Sequence, residues 1–151
     1  MLVDQIAMEP GGMPVPITSL VEFQIRFVGQ QVHAGFPSPA DDFIETSVDL
    51  NQVLIQNSTA TFLWRVAGDC MIDCKIFPGD VVIVDRSLVP RHRSIVLAII
   101  DNAPTLKRVK RMGSRMVLHN ENATLPAFTV TEGTDVSIWG VVTATIRDLS
   151  K

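Results

Sequence analysis

The sequence predicts a mostly-β domain preceded by an irregular N-terminal arm, and three observations support this fold class. Segments rich in β-branched and aromatic residues recur at short spacing from residue 60 onward, which is typical of a compact β domain. Five of the nine Pro and four of the nine Gly lie in the first 40 residues, and this density of turn formers indicates an irregular arm. Hydrophobic residues make up 46% and charged residues 19% of the 151 residues, which fits one globular domain and excludes wholesale disorder.

The first predicted elements lie in and just after the arm. Residues 21–27 alternate between apolar and polar side chains, and a period of two predicts one half-buried strand. A short helix is predicted over residues 49–55 with Asp49 as its N-cap, because an aspartate oxygen can accept a hydrogen bond from a free N–H group of the first turn.

The body of the chain contains apolar and β-branched runs that predict strands. Their ranges are 60–66, 81–84, 94–100, 105–112, 116–118, 128–130 and 136–146. The sequence Asp-Asn-Ala-Pro at residues 101–104 separates two of these runs, so we expect a hairpin there.

Charge and cysteine content exclude several classes of protein. The chain has 13 Lys+Arg against 16 Asp+Glu, a net charge of −3, which argues against sequence-specific or phosphate-dominated binding of nucleic acid. Two Cys residues four positions apart make no disulfide framework and fit a reducing cytoplasm. No apolar run approaches the ~18 residues of a transmembrane helix, and the N-terminus lacks the basic and apolar regions of a secretory signal. We therefore expect a cytoplasmic protein without membrane contact.

A metal or cofactor is not expected. Cys70 and Cys74 have no second pair of ligands, since the three His residues lie far away in sequence. Neither a phosphate-binding loop nor a dinucleotide-binding fingerprint is present. A basic set is present, but no aromatic residues are interleaved with it, so it indicates a solvated face or a patch for an acidic protein partner. Its members are Arg91, Arg93, Lys107, Arg108, Lys110, Arg111 and Arg115.

Two residues are candidates for chemistry. Gly68 permits a tight turn before Cys70, and a helix beginning near Met71 would lower the pKa of a thiol at its N-terminus. Backbone N–H groups in a turn that contains Asp69 and Met71 could form an oxyanion hole. The alternative is that Cys70 is an inert core cysteine.

Lys107 is the second candidate. A period of two places Lys107 on the same face as Thr105 and Val109. On an inner face, loss of hydration would lower the amine pKa and allow it to act as a base. The alternative is a solvated edge strand whose charges prevent aggregation.

Six motifs then occur in a characteristic order between residues 34 and 147. They are Ala-Gly-Phe-Pro-Ser-Pro-Ala at 34–40, Val-Asp-Leu-Asn-Gln at 48–52, Gly-Asp-Cys-Met-Ile-Asp at 68–73, Gly-Asp-Val-Val-Ile-Val-Asp at 79–85, Thr-Leu-Lys-Arg at 105–108 and Ile-Trp-Gly-Val-Val at 138–142. In order and spacing they resemble the self-cleaving mutagenesis proteins of the LexA/UmuD (S24) peptidase family.

The resemblance implies a reaction and its residues. The family has a nucleophilic Ser where this chain has Cys70, and a Lys that deprotonates it where this chain has Lys107. The bond that the family cuts corresponds to Ala34–Gly35. Cleavage would remove residues 1–34 as an N-terminal arm and leave residues 35–151 as the peptidase and dimerisation domain.

The resemblance also implies a setting and a fold. The family domain is a compact, curled β domain that forms a homodimer. A RecA filament on single-stranded DNA stimulates its cleavage, and the trimmed dimer joins an error-prone, UmuC-like Y-family DNA polymerase for translesion synthesis in the SOS response. LexA-type repressors carry a winged helix-turn-helix domain before the cut, and residues 1–34 show no such pattern.

Cys70 departs from the family and leaves an alternative. A thiol is more acidic and more nucleophilic than a hydroxyl, but sulfur is larger, and small misplacements can cost about a hundredfold in rate. The alternative function is a cleavage-impaired interaction module on the same fold. A signal-peptidase relative, which would share the dyad, requires a membrane anchor.

Overall fold

A computed structural model describes residues 15–16, 24–28, 35 and 45–150. These residues form nine strands, one short α-helix and two 3₁₀ turns, which confirms the mostly-β class. They belong to two compact units: Val15–Pro16 with residues 57–150, and the described part of Ser19–Gln56. This division does not coincide with the predicted boundary between residues 34 and 35, which is a cleavage boundary and stays a prediction.

The smaller unit contains one strand pair and the helix. Strand β2 (Gln24–Val28) pairs antiparallel with β3 (Glu45–Asp49), so the strand predicted at 21–27 is confirmed for residues 24–27; residues 21–23 lie outside the described residues. Helix α1 (Leu50–Leu54) follows directly. The Asn51 N–H donates to Asp49 Oδ1 at 2.9 Å, which confirms the predicted N-cap.

The larger unit is built on a seven-stranded sheet in the order β1-β4-β5-β9-β6-β7-β8. Every described strand pair in it is antiparallel. The strands are β1 (Val15–Pro16), β4 (Thr61–Arg65), β5 (Val81–Asp85), β6 (Ile95–Ile100), β7 (Ala103–Met112), β8 (Arg115–His119) and β9 (Val136–Ile146). The 3₁₀ turns are Ser58–Ala60 and Ile72–Cys74.

The hairpin between β6 and β7 turns more tightly than its sequence predicts. Asp101 and Asn102 both have positive φ, 48° and 64°, as a two-residue type I′ turn requires. Ala103 and Pro104 therefore belong to β7, where they pair with Ile100 and Ile99. Proline is tolerated at this end of β7 because β8 pairs with β7 only from Arg108 onward.

The strand predicted at residues 128–130 is wrong, because this segment lies in the connection between β8 and β9. The Phe128 ring instead lies 5.1 Å from the Lys107 Nζ atom, and Val130 is exposed. Aromatic and β-branched residues favour strands only where a neighbouring strand and a packed face are available. Here a tertiary contact of Phe128 replaces the strand pairing.

Two apolar clusters lie on opposite faces of the sheet. One contains Leu97 and Leu106, and the other contains Val96 and Val109. Adjacent residues of a strand point to opposite faces, so each of strands β6 and β7 contributes to both clusters. Strand β5 is buried along its whole length, as its continuous apolar sequence predicts.

Gly140 occupies a position on β9 that has no room for a side chain. A Cβ atom there would lie 2.6 Å from Val84 Cγ1 and 3.1 Å from the Asp85 carbonyl oxygen. Both contacts belong to the neighbouring strand β5, whose backbone is fixed by its pairing with β9. The glycine of the Ile-Trp-Gly-Val-Val motif therefore permits close packing of these two strands.

We expect Gly140→Ala to lower the free energy of unfolding by about 1–3 kcal/mol, because overpacking forces the neighbouring strand to move. Urea denaturation followed by circular dichroism measures the change. Gly35→Ala is the matched control, since nothing lies within 4 Å of a Cβ added there. Equal denaturation midpoints for Gly140→Ala and the parent would contradict the packing argument.

An ion pair between buried Asp80 and exposed Arg147 closes the loop that joins β4 to β5. The Asp80 carboxylate, 2% exposed, accepts hydrogen bonds from Arg147 Nε at 2.7 Å and from the Phe77 N–H at 2.9 Å. The Val66 N–H donates to the Asp80 carbonyl at 2.8 Å, so Asp80 holds both ends of the loop. The hydrogen bond from Arg147 holds the pKa of Asp80 below its usual value.

We expect Asp80→Asn to destabilise the protein by about 1.5–3 kcal/mol at neutral pH, the range for hydrogen bonds to a charged group. Because the folded-state pKa of Asp80 is lowered, its contribution is present above the unfolded pKa of about 3.9 and is lost as the pH falls through the folded value. The stability gap between the parent and Asp80→Asn, measured by thermal unfolding, should therefore narrow below about pH 4. A difference in stability between the parent and Asp80→Asn that stays constant below about pH 4 would contradict the lowered pKa of Asp80.

Candidate functional site

The loop between β4 and β5 carries Cys70. Gly68 adopts a left-handed φ of 78°, which residues with a side chain rarely adopt, and it turns the chain toward Cys70. Met71 is fully buried in the apolar cluster, so its side chain anchors the turn. Gly68 and Asp69 are exposed, and Cys70 is partly buried between these exposed residues and the anchor.

The helix predicted to begin near Met71 is a single 3₁₀ turn of three residues, Ile72–Cys74. It ends at Lys75, whose φ is 69°, and the Ile76 N–H bonds back to the Met71 carbonyl at 3.3 Å. One such turn aligns too few peptide groups to supply a substantial helix dipole. The helix is therefore shorter than an α-helix, and the expected effect of a helix N-terminus on Cys70 stays a prediction.

Lys107 lies on an inner face of the sheet. Its side chain is 5% exposed, and Nζ donates to Thr105 Oγ1 at 2.8 Å and to the Leu106 carbonyl at 3.1 Å. Burial lowers the pKa of the Lys107 amine from its usual 10.5, and a negative charge on nearby Cys70 partly opposes that shift. The expected inner position of Lys107 is confirmed, and the alternative of a solvated charge on an edge strand is wrong.

The thiol and the amine meet at one carbonyl oxygen. Cys70 Sγ lies 3.5 Å from the Leu106 oxygen, which also accepts the hydrogen bond from Lys107 Nζ. Pairing between β7 and β8 begins only at Arg108, so on that side Leu106 has no strand partner among the described residues. This arrangement brings the Cys70 thiol and the Lys107 amine, whose pKa is lowered, to one oxygen atom, although Cys70 lies 36 residues before Leu106 in the sequence.

The backbone beside the thiol offers a hydrogen-bond donor. Among the residues that the structure describes, the Cys70 N–H has no hydrogen-bond acceptor. An N–H group next to a nucleophilic atom can donate to the negative oxygen that forms when that atom attacks a carbonyl. The Met71 side chain points into the core and fixes the turn, and the use of N–H groups from the turn with Asp69 and Met71 as an oxyanion hole stays a prediction.

Residues 121–122, which the sequence analysis missed, form hydrogen bonds that hold the turn around Cys70. The Glu121 N–H donates to the Cys70 carbonyl, and the Asp73 N–H donates to the Glu121 carbonyl, both at 2.8 Å. Asn122 Nδ2 donates to the Asp69 carbonyl at 2.8 Å. No motif marks this segment, because its partners lie about fifty residues earlier in the chain.

Two further residues belong to strand β7, which carries Lys107, and one of them contacts the segment at residues 121–122. Arg108 Nε pairs with Glu121 Oε1 at 2.9 Å, so the residue after Lys107 is tied to the segment that holds Cys70. Thr105 holds the amine itself. The period-two pattern could have identified Thr105, since it placed Thr105 on the same face as Lys107.

The structure describes one residue of the predicted scissile bond. Gly35 is an exposed bend in the smaller unit, and Ala34 lies outside the described residues. The assignment of Ala34–Gly35 stays a prediction.

The second cysteine has a different environment. Cys74 Sγ donates to the Met71 carbonyl at 3.0 Å, and burial raises the pKa of the Cys74 thiol. Both cysteines are free. Within residues 45–150 and the shorter described segments, no group of three or more His, Cys, Asp or Glu side chains could hold a metal ion. The same residues include no helix with the length and apolar character needed to cross a membrane.

Comparisons with known proteins identify similar chains. The profile of a family described as Peptidase S24-like matches residues 26–143. Protein MucA of Salmonella typhimurium is 40% identical over 120 residues, covering 79% of this chain and 82% of that protein. Protein ImpA of Escherichia coli is 39% identical over 114 residues, covering 76% and 77%. The LexA repressor of Acidothermus cellulolyticus is 35% identical over 144 residues, which are 95% of this chain and 50% of the repressor.

We expect Lys107→Met to raise the thermal unfolding midpoint at pH 7, because methionine removes the cost of burying a charge and has a similar length. The folded-state pKa of Lys107 is lowered, so the unfolded chain binds more protons and the stability of the parent rises as the pH approaches the unfolded pKa of about 10.4. The advantage of Lys107→Met should therefore shrink between pH 7 and pH 10. A variant that is less stable than the parent at both pH values would contradict the burial cost.

Proposed function

The chain belongs to the Peptidase S24-like family, and on that premise we propose that it cuts its own backbone with Cys70 as nucleophile and Lys107 as base. The observation that carries the proposal is the Leu106 carbonyl oxygen, which contacts both the thiol and the amine. A buried amine of lowered pKa is the form of lysine that can accept a proton near neutral pH.

The proposed reaction uses the amine and the thiol in turn. The neutral Lys107 amine takes the thiol proton, and Cys70 Sγ attacks the carbonyl carbon of Ala34. The resulting negative oxygen accepts a hydrogen bond from the Cys70 N–H. The carbon–nitrogen bond to Gly35 then breaks, and the Lys107 ammonium returns its proton to the departing Gly35 amine. Water hydrolyses the remaining thioester, which frees residues 1–34 and restores the thiol.

Three neighbours prepare the pair for this reaction. Thr105 Oγ1 and the Leu106 carbonyl fix the amine, and the Phe128 ring lies over it. Holding the reacting groups in place before the reaction removes an entropic part of the barrier. Gly35 presents no side chain, so its backbone could enter a narrow cleft beside Cys70.

The proposed setting is SOS mutagenesis in the cytoplasm. The relatives MucA and ImpA, similar over most of this chain, support a mutagenesis protein of the UmuD type. In this role a RecA filament on single-stranded DNA stimulates cleavage, and the trimmed chain, residues 35–151, works as a homodimer with a Y-family polymerase.

The alternative function, an interaction module that is not cleaved, is supported by the presence of Cys70. Cys70 supplies a sulfur where the family has an oxygen, and a larger atom can misplace the attacked carbonyl by enough to slow cleavage greatly. The protein would then be an uncleaved interaction module that binds the same partners.

We expect the purified protein to lose residues 1–34 at alkaline pH, and faster with RecA filaments on single-stranded DNA. The rate should rise with pH as Lys107 loses its proton and level off below its usual pKa of 10.5, because burial lowers that pKa. Intact-mass spectrometry over time measures the loss. Cys70→Ala and Lys107→Ala should reduce cleavage by at least about a hundredfold.

Two control variants test whether the loss of cleavage is specific to Cys70 and Lys107. Cys74→Ser and Lys110→Ala change the other thiol and an exposed lysine of the same strand, and both should cleave like the parent. Cleavage that survives in Cys70→Ala or Lys107→Ala would contradict the proposal. An uncut parent together with a cleaving Cys70→Ser variant would instead support the interaction module.

A further inference from the structure

Asn122 is a buried polar residue whose side chain is hydrogen-bonded to the turn that carries Cys70, although it lies far from that turn in sequence. It is 5% exposed, and its Nδ2 atom donates to the Asp69 carbonyl at 2.8 Å, across 53 residues of sequence. Its Oδ1 atom accepts hydrogen bonds from the Thr124 N–H at 3.0 Å and from Thr124 Oγ1 at 2.7 Å. Because two donors point at Oδ1, the amide orientation of Asn122 is fixed with Nδ2 toward Asp69.

The carbonyl that Asn122 holds belongs to the same peptide group as the Cys70 N–H. A trans peptide group is planar, so its carbonyl and its N–H point in opposite directions and rotate together. The Asp69 oxygen also accepts from the Ile72 N–H, at the longer distance of 3.4 Å. Fixing this oxygen fixes the direction of the Cys70 N–H. A hydrogen bond to the oxygen also polarises the amide and makes the N–H a stronger donor.

The next peptide group is held in a similar way. The Glu121 N–H donates to the Cys70 carbonyl at 2.8 Å, so both peptide groups that flank the Cys70 α-carbon have their oxygens bound by neighbouring residues 121 and 122. The Cys70 N–H between them is left without an acceptor among the described residues. The N–H groups of Asp69 and Met71 also have no acceptor among the described residues, whereas the carbonyls of Asp69, Cys70 and Met71 are all bound.

We infer that Asn122 is a positioning residue, which holds the Asp69–Cys70 peptide group so that the Cys70 N–H points at the developing oxyanion. The inference rests on the proposed self-cleavage and assigns to it a residue that makes no contact with the reacting atoms. Asn122 acts through the peptide group and not on the thiol or the amine. Its effect should therefore appear in a reaction that forms an oxyanion and not in one that forms none.

The experiment compares two reactions of the same thiol in the full chain. Self-cleavage, followed by intact mass at alkaline pH, passes through an oxyanion. Alkylation of Cys70 by iodoacetamide, followed by peptide mapping, is a displacement at a saturated carbon and develops none. Asn122→Ala removes the donor without adding charge, and Asn120→Ala is the matched control, because the Asn120 amide donates to the Pro126 carbonyl and not to the turn.

We expect Asn122→Ala to slow cleavage by about ten- to a hundredfold, somewhat less than the loss of an oxyanion donor itself. Its Cys70 alkylation rate should stay within about twofold of the parent, and Asn120→Ala should match the parent in both reactions. If Asn122→Ala fails to fold by circular dichroism, Asn122→Asp replaces it, since it keeps the size and the acceptor for Thr124 and also lacks the donor.

Other outcomes would overturn the inference. Parental cleavage by a folded Asn122 variant would remove Asn122 from the mechanism and leave the Cys70–Lys107 proposal intact. Equal losses in cleavage and alkylation would show a general disturbance of the turn and not a positioning role. A parent chain and a Cys70→Ser chain that both fail to cleave under any condition would overturn the proposed function and this inference together.

Discussion

The Leu106 carbonyl oxygen is the point on which the arrangement of the site depends. It accepts from the buried Lys107 amine and contacts the Cys70 thiol, so it places the amine and the thiol at one backbone atom. A carbonyl inside a sheet normally pairs with the next strand. Here the pairing of β8 with β7 ends at Arg108, and the Leu106 oxygen is bound by the side chains of Lys107 and Cys70 instead.

Burying Lys107 has a cost that the surrounding structure must offset. An amine removed from water is destabilised in its charged form, and two hydrogen bonds and an aromatic ring satisfy it only in part. The close packing of β5 and β9 at Gly140 and the ion pair between Asp80 and Arg147 are stabilising contacts elsewhere in the same unit. The same burial that lowers stability lowers the pKa of Lys107, so the cost is inseparable from the chemistry we propose.

The loop that carries Cys70 owes its shape to contacts from outside itself. Its own helix is a single 3₁₀ turn, too short to hold a fixed conformation alone. Residues 121–123, from the connection between β8 and β9, bind Asp69, Cys70 and Asp73. The conformation of the Cys70 loop is thus held by hydrogen bonds from a connection without regular secondary structure, and not by a long helix within the loop.

By itself, the sequence determined the elements whose causes are local. The Asp49 N-cap, the buried strand β5 and the whole of β9 follow from residue type and period, because each depends on neighbours within a few positions. The ordered motifs also led to the family and to Cys70 and Lys107 as candidates. Tertiary structure alone decided the rest: Phe128 covers an amine instead of forming a strand, and Asn122 and Glu121 hold a turn some fifty residues away. Such contacts have no sequence period, because they join atoms that only the folded sheet brings within hydrogen-bond distance.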